Sequence, residues 1–258
     1  MTGPRISAVL ITRDEAPRIE ASLAALRFCD EVVVVDSEST DGTAALAAAA
    51  GARVVTRPWP DDFADQRNFA DAQATGDWCF AVDPDEEVSE ALAAEIRRFV
   101  ADPGPYVGMS FVRRERIFGR WIDGGGWGTQ RKLRLYRRGA GRWTGRVHEK
   151  MVVDGPVAHA AEPLVHRSYD RVETFVDKFN RYSTIDARLD FETGRRFSWW
   201  ALATQPVERA FGRFVLHGGY RDGAHGLVLA LLVGLNYLLR HLKLWEMEYR
   251  ARHPEARP

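Results

Sequence analysis

The sequence predicts an α/β protein: a mostly parallel central sheet flanked by helices, followed by a C-terminal helical extension. Three observations carry this. The first hundred residues alternate short, continuous apolar runs with segments of helical periodicity. The apolar runs are not interleaved with polar residues, which is the pattern of strands buried on both faces of a parallel sheet. From Arg171 onward the apolar residues fall at helical spacing.

The elements follow in order. Ile6–Thr12 reads as a strand, and Glu15–Leu26 as a helix with Ile19, Leu23 and Leu26 on one face. Val32–Asp36 is four valines ending in an aspartate. Thr43–Ala50 is an Ala-rich helix, with Asp41 as its expected N-cap and Gly51 as its stop. Arg53–Thr56 is a short strand, residues 65–74 a helix and residues 78–82 a buried strand. Ser89 is placed to cap a helix over Glu90–Val100. In such sheets ligands sit beyond the carboxyl ends of the strands, which here carry Thr12, Asp36 and Asp83. Farther on, residues 108–118 read as a strand, and residues 133–137 and 142–147 flank Arg138-Gly-Ala-Gly141 as a hairpin. Between these lies a glycine-rich loop, Ile122-Asp-Gly-Gly-Gly-Trp-Gly128. Helices are expected over 171–189, 208–216 and 227–245.

A chain of 258 residues suits one large domain with a helical appendage: residues 1–190, in halves of about 1–105 and 106–190, then 191–258. The only cysteines, Cys29 and Cys79, read as core thiols in a reducing compartment. Met1 to Arg5 leads straight into a strand, so no signal peptide is expected. Net charge is zero but unevenly spread: residues 1–100 hold 9 basic and 19 acidic side chains, residues 195–258 hold 10 and 5. A basic C-terminal part would attract an anionic surface or a phosphate-bearing partner. Nucleic-acid binding is disfavoured, because the basic residues form no recognisable motif and the ligand edge of the sheet is acidic. The apolar run Leu227–Leu239 falls short of the ~20 residues that cross a bilayer. With Arg240, His241 and Lys243 behind it and Trp199, Trp200, Phe211, Phe214 and Tyr220 nearby, Leu227–Trp245 reads either as an interfacial helix or as a core helix closing the domain.

The chemistry concentrates at Asp83-Pro84-Asp85, extended by Glu86 and Glu87. Four carboxylates in five residues repel one another, and a divalent cation such as Mg²⁺ or Mn²⁺ offsets that cost while bridging to diphosphate oxygens. The alternative is a solvated acidic turn before a helix. Asp36, at a strand end before the small polar run Ser37–Thr43, is placed to accept hydrogen bonds from a nucleobase or ribose.

Ile6–Glu15 with Val32–Thr43, then Gln66-Arg67-Asn68, Gly76-Asp77 and Asp83-x-Asp85, resemble glycosyltransferase family 2, of the GT-A fold, a Rossmann-like arrangement. Residues 134–136, 147–149, 166–169, 178–182, 219–223 and 243–246 are similar to a subgroup, the lipopolysaccharide-core β-glucosyltransferases. The resemblance implies inverting transfer of a sugar, glucose first among candidates, from a UDP-sugar to a membrane-anchored saccharide at the cytoplasmic face of the cell membrane. It implies that Thr12 and Glu15 border the nucleotide, Asp36 binds the base, Arg67 holds the nucleotide or diphosphate, Asp83 contacts the ribose or donor sugar, and Asp85 ligates the metal. Arg13-Asp14 departs from the Tyr-Asn common there. An inverting transfer needs a base. Glu149, 64 residues after Asp85, is the first candidate and Asp123 of the glycine-rich loop the second; an ion pair of Glu149 with Lys150 is the structural alternative. His166 is a metal ligand, a diphosphate contact or a core histidine. Arg131, Lys132 and Arg134 are placed to neutralise the leaving diphosphate or an anionic acceptor. Two further readings stay open: a polyprenyl-phosphate acceptor, and a catalytically silent nucleotide- or sugar-binding module.

Overall fold

The computed structural model describes residues 3–128, 130–146 and 148–253. Its contacts divide the chain into two compact units, Met1–Arg114 with Gln130–Ser168, and Glu115–Thr129 with Tyr169–Pro258. The glycine-rich loop and the helix that follows residue 171 belong to the second unit.

The first unit runs β1 (Ile6–Thr12), α1 (Ala16–Ala25), β2 (Glu31–Asp36), α2 (Thr43–Ala49), β3 (Arg53–Thr56), α3 (Phe63–Gln73), β4 (Trp78–Ala81), β5 (Glu86–Glu87) and α4 (Glu90–Ala101). It continues through β6 (Gly108–Ile117), whose end lies in the second unit with β7 (Arg120–Ile122), and then β8 (Arg131–Arg137), β9 (Gly141–Thr144), β10 (Lys150–Val153), β11 (Val157–His159) and β12 (Leu164–Tyr169). The main sheet has the order β3-β2-β1-β4-β8-β6-β12-β5. β1 to β4 pair in parallel, while β8 runs antiparallel to both β4 and β6. The continuous apolar runs are explained by burial on both faces. Leu10, Val34 and Phe80 pack with α1 and α4, while Val9, Val35 and Cys79 pack with α3. Each large side chain so buried contributes roughly 1.5–3 kcal/mol. Burial pushes both thiols, free Cys29 and Cys79, up to about 12, so they serve as inert core residues.

From β1 the chain steps to β2 and β3 on one side, then returns to β4 on the other. That reversal opens a crevice at the carboxyl ends of β1 and β4, where ligands bind in open α/β sheets.

Local details differ from the sequence expectations. Gly42, at φ 91°, caps α2, and Asp41 instead bonds the Thr43 N–H and the Ala16 N–H, tying α2 to α1. Asp62 caps α3, which starts two residues earlier than its apolar spacing indicated. The expected hairpin around residues 138–141 does not form: β8 pairs within the main sheet, and β9 pairs with β10 in a separate ribbon. Val147, the expected end of that strand, lies outside the described residues.

The second unit adds α5 (Val172–Glu192), α6 (Trp199–Phe211), a π-helical turn at 212–216, a 3₁₀ turn at 219–222 and α7 (Ala224–Arg252). α6 begins nine residues before the expected helix and contains Pro206, whose ring normally ends a helix. Asp222 accepts hydrogen bonds from the N–H groups of Asp123 and Gly124, at 3.1 and 2.8 Å, and so clamps the glycine-rich loop. Gly124 leaves no room for a side chain, since a Cβ there would lie 2.2 Å from the Gly218 carbonyl oxygen.

α7 is 29 residues long, and by length and composition it suffices to cross a membrane, although 39% of its most apolar window is buried within the protein. The expected basic rim is held by neighbouring helices. Arg240 pairs with Asp190 of α5 at 2.6 Å, His241 is buried against Gln205, and Lys243 Nζ donates to oxygens of Asn180, Ser183 and Thr184. Arg240 and Lys243 fasten α7 to α5, and His241, whose pKa burial lowers, fastens it to α6.

Candidate active site

The loops after β1 and β2 are stitched together at the crevice. Asp36 is buried and accepts from Thr12 Oγ1 at 3.2 Å, from the Ser39 N–H at 2.9 Å and from Ser39 Oγ at 2.5 Å. Asp14 and Glu38 both hold left-handed backbone, at φ 55° and 56°. Asp14 returns the link by accepting from the Thr40 N–H. Non-glycine residues in this conformation cluster where a loop is fixed for function. The Glu15 N–H donates to Thr43 Oγ1, so Glu15 sits at the start of α1 beside the same loop. Gln66, from α3, donates to Ser37 Oγ at 3.0 Å.

A second cluster forms where β4 ends. Asp83 is gripped by two buried guanidiniums, Arg67 at 2.6 Å and Arg134 at 2.7 Å. Arg67 reaches on through Nε to Glu149 at 2.8 Å. Arg134 also meets Glu86 Oε1 at 3.0 Å, and Glu86 Oε2 accepts the Asp83 N–H. Glu86, 1% exposed, is thus no solvated turn residue. Burial opposes ionisation of Asp83, but Arg134 and Arg67 outweigh it and hold the carboxyl well below the usual range. Burial likewise disfavours both guanidinium charges, and Asp83 with Glu149 or Glu86 raises their pKa instead. Such a network is costly to desolvate and tightly specified once complete.

A β-bulge aims Arg134. Met109 faces Leu135 and Ser110 faces Leu133, which leaves Arg134 as the additional residue. Lys132 also lies in this electrostatic neighbourhood, and burial with Arg113 and Arg134 nearby lowers its pKa. Arg131 is not drawn into the cluster: its guanidinium donates to the Ser110 and Ala160 carbonyls. Beneath Arg67 lies the Trp143 indole, 4.8 Å from the guanidinium carbon. Trp143 Nε1 donates to Asp71 at 3.0 Å, and Tyr136 Oη donates to the same carboxylate at 2.8 Å.

Burial pushes Asp71 up from 3.8 to about 6, against the pull of Tyr136 and Trp143. A carboxyl with a raised folded pKa favours the native state at low pH and loses that contribution as pH rises through about 6. In urea titrations the stability of wild type relative to Asp71→Asn should fall by about 3 kcal/mol at most between pH 4 and 7. Parallel pH profiles for the two proteins would show that Asp71 does not titrate in this window.

Asp85 and His166 come together through β5 and β12, which pair with His166 opposite Glu86. His166 Nε2 lies 3.2 Å from Asp85 Oδ2, and its Nδ1 lies 2.9 Å from Ser168 Oγ. With Nδ1 held by the hydroxyl, Nε2 faces the carboxylate; this is how ligating histidines are usually oriented. Among the described residues no group of three or more His, Cys, Asp or Glu side chains is arranged to hold a metal ion. A carboxylate oxygen and an imidazole nitrogen suit Mn²⁺ or Mg²⁺ only as part of a coordination sphere, the rest coming from a ligand or water.

Glu149 directly precedes β10 and follows His148, which is left-handed at φ 58°. Its ion pair is with Arg67, not with the neighbouring Lys150. Asp123 lies in the second unit, exposed, on the clamped glycine-rich loop. Sequence reasoning missed Trp143, Asp71 and Ser168. Only the alternation of β9 hinted at a buried tryptophan, and nothing local links the three to the acidic run.

The fold is of the GT-A type, and the chain belongs to glycosyltransferase family 2, whose model, described as "Glycosyl transferase family 2", matches residues 7–150. The chain is 32% identical to the lipopolysaccharide core biosynthesis glycosyltransferase LpsC of Rhizobium meliloti (strain 1021), over 93% of this chain and 92% of that one. It is 30% identical to an uncharacterized glycosyltransferase of Rickettsia bellii (strain RML369-C), over 94% and 87%. Among solved structures it is similar to the mannosyltransferase PcManGT from Pyrobaculum calidifontis in complex with GDP-Man and Mn²⁺, at 20% identity and TM-score 0.50, over 100% of this chain and 77% of that one. That last likeness is one of fold.

Proposed function

We propose that this glycosyltransferase is inverting and metal-dependent, moving a sugar, glucose in our reading, from a UDP-sugar to a membrane-anchored saccharide such as a lipopolysaccharide core. It would work at the cytoplasmic face of the membrane. The convergence of Asp85 and His166 beside Asp83, at the carboxyl end of β4, carries this reading. The similarity to LpsC supports the acceptor class.

Asp85 and His166 would hold the divalent cation, which would supply charge neutralisation at the leaving diphosphate. Thr12, Glu15 and Asp36 border the nucleotide. Asp36 already accepts three hydrogen bonds, which leaves about one lone pair, on Oδ2, for the base or ribose. Arg67 and Arg134 fix Asp83 for the ribose or donor sugar. Lys132 replaces Arg131 as the cation facing the diphosphate, and Arg134 holds the acidic pair. Glu149, oriented by Arg67, takes the proton from the acceptor hydroxyl as that oxygen bonds to the anomeric carbon. The bond from that carbon to the diphosphate breaks, and UDP leaves with the electron pair.

Calorimetric titration of UDP, GDP and their sugars, in Mn²⁺ and then in EDTA, tests the donor and cofactor together. Metal-dependent binding of a UDP-sugar, lost in Asp85→Ala, is the expected result. Equal UDP affinity in EDTA, or in Asp85→Ala with Mn²⁺, would remove Asp85 from the metal site, and a preference for GDP would reassign the donor.

A further inference from the structure

The helix α6 has 13 residues and not one of them is buried. Its inner side meets α7, where the Pro206 carbonyl and the Ala210 methyl approach Gly234. Its outer side carries Trp200, Val207 and Phe211, and the π turn adds Leu216. Trp200 is 78% exposed and Leu216 75%. The antiparallel α7 continues this face with Leu227, Leu231 and Trp245, all exposed. Isolated exposed apolar residues are ordinary, but a continuous face along two helices is not stable in water without a partner.

We infer that the outer face of α6, its π turn and the adjoining stripe of α7 dock on an anionic lipid bilayer, lying in the plane of its interface. Three observations favour lipid. Trp199 and Trp200 mark one end and Tyr220 the other, and these residue types gather at the headgroup level. Between residues 195 and 221 there are five arginines against the single carboxylate Glu208; Arg195 pairs with Asp190 and Arg213 donates to the Gly125 carbonyl, which leaves Arg196, Arg209 and Arg221 exposed. That is the charge a negative surface attracts. The stripe is also one-sided. Opposite it α7 buries Leu229, His241 and Glu248, and Arg240 and Lys243 are engaged by α5. A helix with that much polar burial on one side lies on a membrane and does not cross it. The docking element is therefore chiefly α6 and its π turn, and Arg240 and Lys243 take no part.

This deepens the reading of a membrane-held acceptor, and it is tested apart from the chemistry. The probe is vesicles of equal parts phosphatidylcholine and phosphatidylglycerol, with flotation of the full chain. Wild type should float, and more strongly than with phosphatidylcholine alone. The triple variant W200E/F211E/L216E should lose about 100-fold or more in partition, since each submerged side chain is worth roughly tenfold. It should keep its circular dichroism and its heat of UDP binding with Mn²⁺. Failure of wild type to float, or flotation of the triple variant at wild-type level, overturns the inference. So does sedimentation showing a wild-type dimer that the same substitutions dissociate, because the face would then be covered by a second copy. If flotation behaves as expected but no UDP-sugar binds, the donor reading falls and the docking surface stands.

Discussion

Glu149→Gln should lower sugar transfer by about 10²- to 10⁴-fold, the usual contribution of a positioned general base. The substitution preserves shape and one acceptor oxygen for Arg67 Nε, so the Arg67–Asp83 pair should persist. UDP-sugar affinity with the metal should therefore change little, placing the loss in kcat. Single-turnover assays with bound donor measure this directly. Near-normal turnover in Glu149→Gln would move the base elsewhere, with Asp123 next. Asp123 sits in a loop whose backbone is clamped by Asp222, so Asp123→Asn should preserve the loop and isolate the carboxylate.

Arg134→Met should destabilise the protein by about 3–5 kcal/mol at neutral pH, because it leaves half-buried Asp83 and buried Glu86 without the guanidinium they share. Methionine retains most of the side-chain volume, so the loss reports charge and not a cavity. Asp83 is held well below the usual carboxylate range by Arg134 and Arg67 against the cost of burial. A depressed carboxyl contributes stability above its unfolded pKa and loses it as pH falls. The deficit of Arg134→Met should accordingly shrink in acid, as the stranded carboxylates protonate. Arg134→Lys should recover only part of it, since both carboxylates bond the single Nη2 at the tip of a side chain that is longer than lysine's. A urea midpoint for Arg134→Met equal to that of wild type at pH 7 would mean that Asp83 and Glu86 reach water or other donors.

Much of the first unit was legible in the sequence. Val32–Asp36 and Ile6–Thr12 are too apolar to be anything but strands buried on both faces, and β1 to β4 pair in parallel as expected. Ser89 caps α4, as its position indicated. The middle of the chain was read less well. The turn residues at 138–141 mark a real change of direction, but which strand pairs with which depends on partners far away in sequence. β9 finds β10, and β8 finds β4 and β6. α6 begins before the expected 208–216 and holds Pro206 inside it, a residue that locally disfavours a helix interior.

The same division runs through the site. The residues at strand ends, Thr12, Asp36, Asp83 and Asp85, could be named from the sequence, because a βα unit delivers its carboxyl-end residues to one edge whatever else the chain does. Tertiary structure decided how they are partnered. A bulge turns Arg134 into the acidic cluster, and sheet pairing brings His166 across 81 residues to Asp85. Arg67 joins Glu149 to Asp83, and Arg240 and Lys243 are engaged by α5. Periodicity and motif are local properties of a chain. The pairing of buried charges is set by geometry between distant segments, since in a low dielectric each charge must meet its opposite wherever the fold delivers it.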